Sequence, residues 1–160
     1  MKALKEHWSA KLESLNACAD AVAYARTQPS FLKAWTACER GDWMLWYAGT
    51  VCGEPGSRAR LKLVGAAADC AALALPIFEI YYPNDKRPRE CIEVCRRYAK
   101  GEATFDQIKT AAGAAASADA ARAAGAARAA DAAGAARTGA LKQCADIVRQ
   151  HYPKPPKALK

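Results

Sequence analysis

Two histidines, His7 and His151, and seven cysteines are the side chains of this 160-residue chain best suited to nucleophilic or metal chemistry. They do not form a reactive pattern. No G-x-S-x-G, H-E-x-x-H, C-x-x-C or phosphate-binding G-x-x-x-x-G-K-[ST] motif occurs. Cys91 and Cys95 lie about one helical turn apart, but a tetrahedral metal site needs two further ligands and none stands nearby in sequence. The seven cysteines (Cys18, Cys38, Cys52, Cys70, Cys91, Cys95 and Cys144) are odd in number, sit in apolar stretches and follow no export signal. They read as reduced thiols packed as small hydrophobes. The sequence therefore predicts no catalytic residue, no metal and no cofactor, and points to a protein that binds.

Two segments carry residue types suited to binding. Trp35, Arg40, Asp42, Trp43 and Trp46 bring three of the four tryptophans and a charge pair to one helix junction. Aromatic and Arg residues dominate interface energetics, although the same residues can fill a core and cap a helix. Lys86, Arg87, Arg89, Arg96 and Lys100 form the densest basic region. On a helix Arg89, Arg96 and Lys100 lie close together, and a helix N-terminus after Pro88 would add backbone N–H groups. That region reads either as a solvated face or as a cradle for phosphate or an acidic partner. With 24 basic and 16 acidic residues the net charge is +8, which suits an acidic protein, a nucleotide or a nucleic acid. No motif supports sequence-specific nucleic-acid reading.

The elements that must position these residues are helical. Trp8, Leu12, Leu15, Ala19 and Val22 recur at spacings of four and three, predicting one helix from about Leu4 to Thr27, ended by Pro29. Ser30 caps a short helix carrying Phe31, Leu32 and Trp35. Gly41 interrupts it, and Asp42 is expected to N-cap a helix from Trp43 to Cys52. After the turn Gly53-Glu54-Pro55-Gly56, Ser57 caps a long helix toward Leu75, which Pro76 kinks or ends before Phe78. Tyr81 to Pro88 reads as a loop, Pro88 opens a helix to Lys100, Gly101 stops it, and Thr104 caps the last region. Large side chains along the whole chain, Ile77 and Phe78 included, predict one contiguous core. No period-two alternation predicts a strand.

From Ala111 to Ala136 there are 18 alanines in 26 residues, with Asp119, Arg122, Gly125, Arg128, Asp131, Gly134 and Arg137 at every third position. Alanine favours helix strongly, and a three-residue repeat winds its charges around the rod. An unbroken helix over 105–150 would be roughly 69 Å long, against about 40 Å for a compact domain of this size, so a break is expected near Thr138-Gly139. The fold class is thus an all-α, compact multi-helix bundle with a long Ala-rich helix near the C-terminus and no sheet. It comprises one domain over 1–152 and a disordered basic tail over 153–160, where prolines forbid helix. No apolar run is long enough to span a membrane, and no leader is visible, so the expected location is the cytoplasm.

Three groups of residues carry a resemblance. They are Trp35-x-x-Cys38-x-Arg40-Gly41-Asp42-Trp43-Met44-Leu45-Trp46, then Pro83-x-Asp85-Lys86-Arg87-Pro88-Arg89-Glu90-x-Ile92-Glu93, and Arg97-Tyr98-Ala99-x-Gly101-Glu102. With the alanine repeat, they make the chain from Phe31 to Tyr152 resemble the immunity protein family of bacterial toxin systems, and related alanine-repeat phage proteins. The resemblance implies stoichiometric neutralisation of a protein toxin or effector, or counter-defence in a phage setting. The second reading is a sponge that sequesters an anionic nucleotide signal as a homo-oligomer packed through the alanine rods.

Overall fold

The computed structural model describes residues 7–120 and 134–157. Nine helices occupy them: α1 (Ala10–Ser14), α2 (Ala19–Arg26), α3 (Phe31–Ala37), α4 (Gly41–Val51), α5 (Arg58–Ala72), α6 (Leu75–Tyr81), α7 (Arg87–Ala99), α8 (Phe105–Ala120) and α9 (Gly134–His151). There is no strand among the described residues. The caps follow from sequence. Ser30 Oγ accepts from the Lys33 N–H at 3.3 Å, and Ser57 Oγ from the Arg60 N–H at 3.2 Å. Thr104 and Gln107 form a reciprocal capping box, with the Gln107 N–H donating to Thr104 Oγ1 and the Thr104 N–H to Gln107 Oε1. Gly101, at φ +79°, ends α7.

Four local expectations are corrected. The helix expected through Thr27 is broken, because Asn16 adopts φ +60°. The Ala17 N–H reaches Leu12 O at 3.0 Å and the Asn16 N–H reaches Glu13 O at 2.9 Å, the Schellman closure that Asn tolerates in place of Gly. Asp42 is not the N-cap of α4. Arg40 holds that position and Asp42 lies in the first turn, where a carboxylate still favours the helix dipole. The break that Pro76 is expected to cause before Phe78 is present between α5 and α6, since the proline ring would clash with the carbonyl four residues back, that of Ala72, the last residue of α5, but α6 then continues through Tyr81. Tyr81 accordingly ends a helix instead of opening a loop. Finally, α9 runs straight through Thr138-Gly139, so no break occurs there. Gly139 costs a helix interior only about 1 kcal/mol relative to alanine, and its alanine-rich flanks are strong helix formers. The central repeat, over 121–133, lies outside the described residues, as do the side chains of Asp119 and Arg137.

α5 is the hub, packing on α4, α6, α7 and α9, while α8 packs on α7. The main core joins Trp35, Met44, Tyr47 and Val51 from α3 and α4 to Ala66 and Cys70 of α5 and to Ala145, Val148 and Tyr152 at the chain's C-terminal end. A second, smaller cluster holds Ala68, Leu75 and Ile92, so the large side chains do not form one continuous body. Ile77, expected in the core, is 62% exposed.

Close backbone approach makes these contacts possible. A Cβ on Gly41 would overlap the Cys144 side chain and stand 2.6 Å from the Ala145 backbone nitrogen, so α4 begins directly on the backbone of α9. Gly41→Val is expected to destabilise the fold by about 1–3 kcal/mol, the usual cost of overpacking, read as a lower urea midpoint with unchanged slope. Gly139 faces open space, and Gly139→Ala is expected to stabilise by about 0.5–1 kcal/mol in the same experiment.

Candidate functional site

The Arg40–Trp46 junction divides between core and surface. Trp35 is only 3% exposed, and its indole N–H donates to the Tyr152 carbonyl at 2.9 Å. It is structural. Arg40 grips Asp42 through two hydrogen bonds, of 2.9 and 2.7 Å, and stacks 4.2 Å from the centre of the Trp43 ring. The hydrogen bond from Arg40 holds the Asp42 carboxyl below its ordinary range against the opposing effect of burial. Trp46 is the exposed tryptophan of the group. Beneath it lies an apolar cavity of about 50 Å³ bounded by Trp8, Phe31, Trp35, Trp43 and Trp46.

The basic region also divides. Asp85 accepts the Arg87 backbone N–H at 3.1 Å and binds the same residue's guanidinium at 2.9 and 2.8 Å. The chain's own carboxylate thus sits at the N-terminus of α7, the place that the cradle reading of this region gives to an external anion. Arg89 makes two 2.7 Å bonds to Glu79, tying α7 to α6, and those bonds hold the Glu79 carboxyl below its ordinary range. Lys86 is exposed at the start of α7.

Arg96 and Lys100 belong to a different surface. With Arg58 and Lys62 of α5 and His151 of α9 they line a groove of about 720 Å³ around Asp69. Its floor includes Gly65, where a Cβ would stand 3.2 Å from that of Ala99 and 3.5 Å from the His151 ring. Asp69 accepts from Arg96 Nε at 2.8 Å and lies 2.9 Å from His151 Nε2. Burial pushes its carboxyl up, but the hydrogen bonds from His151 and Arg96 outweigh that and leave it below the ordinary value. Lys62 Nζ lies 4.8 Å over the Tyr152 ring. Sequence reasoning missed Arg58, Lys62, Asp69 and His151. The one signal available was the four-residue spacing of Arg58 and Lys62, which puts them on one helical face.

Among the described residues no three His, Cys, Asp or Glu side chains converge as a metal site requires. All seven cysteines are free thiols. Burial, with Cys144 alongside, pushes Cys70 up to about 12, and burial with Cys91 alongside pushes Cys95 up to about 11.

Residues 56–143, more than half of the chain, match the family described as Imm-5 like putative immunity protein, and the chain belongs to that family. No curated protein and no solved structure matches it. The matched span runs from the turn before α5 into α9. It contains every groove residue except His151 and leaves out the Arg40–Trp46 junction. It is therefore shorter than the resemblance read from Phe31 onward.

Two measurements check this geometry. A carboxyl with a lowered folded-state value contributes stability that is present above its unfolded value of 3.8 and is lost as pH falls through the folded one. Asp69→Asn is therefore expected to flatten the loss of stability below about pH 3.8 in acid titrations followed by circular dichroism. Iodoacetamide at neutral pH is expected to alkylate the exposed Cys18 first and to leave Cys38, Cys52 and Cys70 protected. Mass mapping of the labelled peptides reads the order.

Proposed function

We propose that the chain neutralises a protein toxin or effector in the cytoplasm by stoichiometric binding, without catalysis, and that α6 and the start of α7 form the contact. Membership of an immunity family supports a toxin-neutralising role. The observation that carries the contact surface is α6 itself. Ile77, Ile80 and Tyr81 are 62%, 76% and 74% exposed, and their spacing of three and one places them on a single face. Lys86, Arg87 and Arg89 follow at its edge. An apolar centre with a charged rim is the usual anatomy of a protein interface, and isolated exposed apolar side chains are ordinary whereas contiguous ones mark contacts. The excess of eight positive charges favours an acidic partner and speeds its approach. Trp46, one helical turn after the Arg40, Asp42 and Trp43 cluster, offers a second exposed aromatic area outside the family span.

Other points support the reading less directly. No single described helix is long and apolar enough to cross a membrane, and α5 with α6 reaches that composition only as a pair bent by 45°. Homo-oligomerisation through the alanine rod falls on residues outside those described.

The test is native mass spectrometry of the tagged chain purified from toxin-expressing cells. The expected result is a complex of one chain with one toxin, weakened at least tenfold by Ile80→Asp with Tyr81→Ala, a loss of about 1.4 kcal/mol or more at an interface hot spot. Recovery of the bare chain from cells that it protects would contradict the proposal.

A further inference from the structure

The groove between α5, α7 and the end of α9 combines a concave shape with an uncompensated charge. Five arginines elsewhere are neutralised by the chain's own carboxylates: Arg26 by Glu13, Arg40 by Asp42, Arg87 by Asp85, Arg89 by Glu79 and Arg149 by Asp146. Around the groove cations converge with a single carboxylate among them. Arg58, Lys62 and Lys100 have no ion pair among the described residues, and Arg96 shares the single carboxylate, Asp69, with His151. Four permanent cations (Arg58, Lys62, Arg96 and Lys100) against one anion leave a local excess of three positive charges, counted with His151 neutral. A cleft lined by one sign of charge between low-dielectric walls focuses the field and raises the local concentration of counter-ions.

We infer that this groove is a binding site for a phosphorylated small molecule of nucleotide size. Its volume of about 720 Å³ lies within the range of small-ligand sites, roughly 300–1,000 Å³. Three charges must be matched inside that volume. A di- or triphosphate concentrates them in a few ångströms, whereas an acidic peptide spreads one charge per residue at about 3.3 Å or more. Arg96 is pre-oriented, because its Nε is held by Asp69 while the rest of the guanidinium fork remains available for a phosphate oxygen. Lys62 is likewise placed by Tyr152, whose ring takes the ammonium on its face. Leu61, Ala99 and the bare Gly65 supply an apolar floor for the body of the ligand, and a Cβ at Gly65 would press on Ala99 at 3.2 Å. The site is independent of the protein contact proposed for α6, and its test needs no toxin.

The experiment is isothermal titration of the full chain with ATP, with adenosine as the uncharged control, at a fixed ionic strength of about 0.15 M. The expected result is saturable one-to-one binding of ATP and none of adenosine. The double variant Lys62→Glu with Lys100→Glu is expected to weaken ATP at least about tenfold, whereas Lys33→Ala, on α3 and outside the groove, leaves it within about twofold. Circular dichroism establishes that the double variant is folded; if it is not, Arg58→Gln with Lys100→Gln takes its place. Three results would overturn the inference. They are the absence of saturable ATP binding, equal binding by the folded groove variant, and displacement of ATP by a hexaglutamate peptide at equal concentration.

Discussion

A chain whose apolar content is mostly alanine buries little hydrophobic surface per residue, so its helices must approach closely to exclude water. The contact of α9 with α4 and α5 meets that requirement. Ala48, Ala66, Ala145 and Val148 are fully buried, and Gly41 lets the first turn of α4 rest on the α9 backbone. Three polar contacts secure the same joint. The Trp35 indole donates to the Tyr152 carbonyl, the Tyr152 hydroxyl donates to the Ala59 carbonyl, and Arg149 donates to the carbonyls of Trp35 and Cys38 that close α3. The carbonyls of Trp35, Cys38 and Tyr152 lie at or just past helix C-termini, where partners inside the helix are lacking, while that of Ala59, in the first turn of α5, takes Tyr152 as an additional donor.

The rest of the molecule follows from that joint. Once α9 lies across α4 and α5, its last turn delivers His151 beside Asp69 and Tyr152 beneath Lys62, which completes one wall of the basic groove. The opposite wall comes from α7, drawn close to α5 at Gly65 and Ala99. Toward the N-terminal end of α7, Arg89 ties α6 down through Glu79, and Ile77, Ile80 and Tyr81 are left exposed. The two surfaces proposed for binding, one a basic groove and one the apolar face of α6 with the start of α7, thus share α7 as their common support.

Much of this was legible in the sequence because it depends on neighbours along the chain. Ser30, Ser57, Gly101 and Thr104 mark helix ends through local hydrogen bonds or a left-handed turn, and the structure places each end there. The failures are tertiary or turn on competition between residues. Asn16 closes a helix that periodicity carries onward, and Gly139 stays helical where length arguments wanted a break. Basic residues could be counted but not paired: nothing in the order of residues says that Arg87 and Arg89 find carboxylates while Arg58 and Lys62, some 30 positions away, meet Arg96 and Lys100 across a groove. Trp35 was legible as an anchor, and only the partner at Tyr152, at the other end of the chain, shows that it is core.

The central claim is that the seat of α9 on α4 and α5 holds the fold together. Native-state hydrogen exchange read by mass spectrometry tests it directly. The account predicts that amides from Ala145 to Tyr152 exchange with those of α4 and α5 and only through global unfolding, the slowest set in the protein. Exchange of the α9 amides at rates typical of frayed ends, with α4 and α5 still protected, would contradict it.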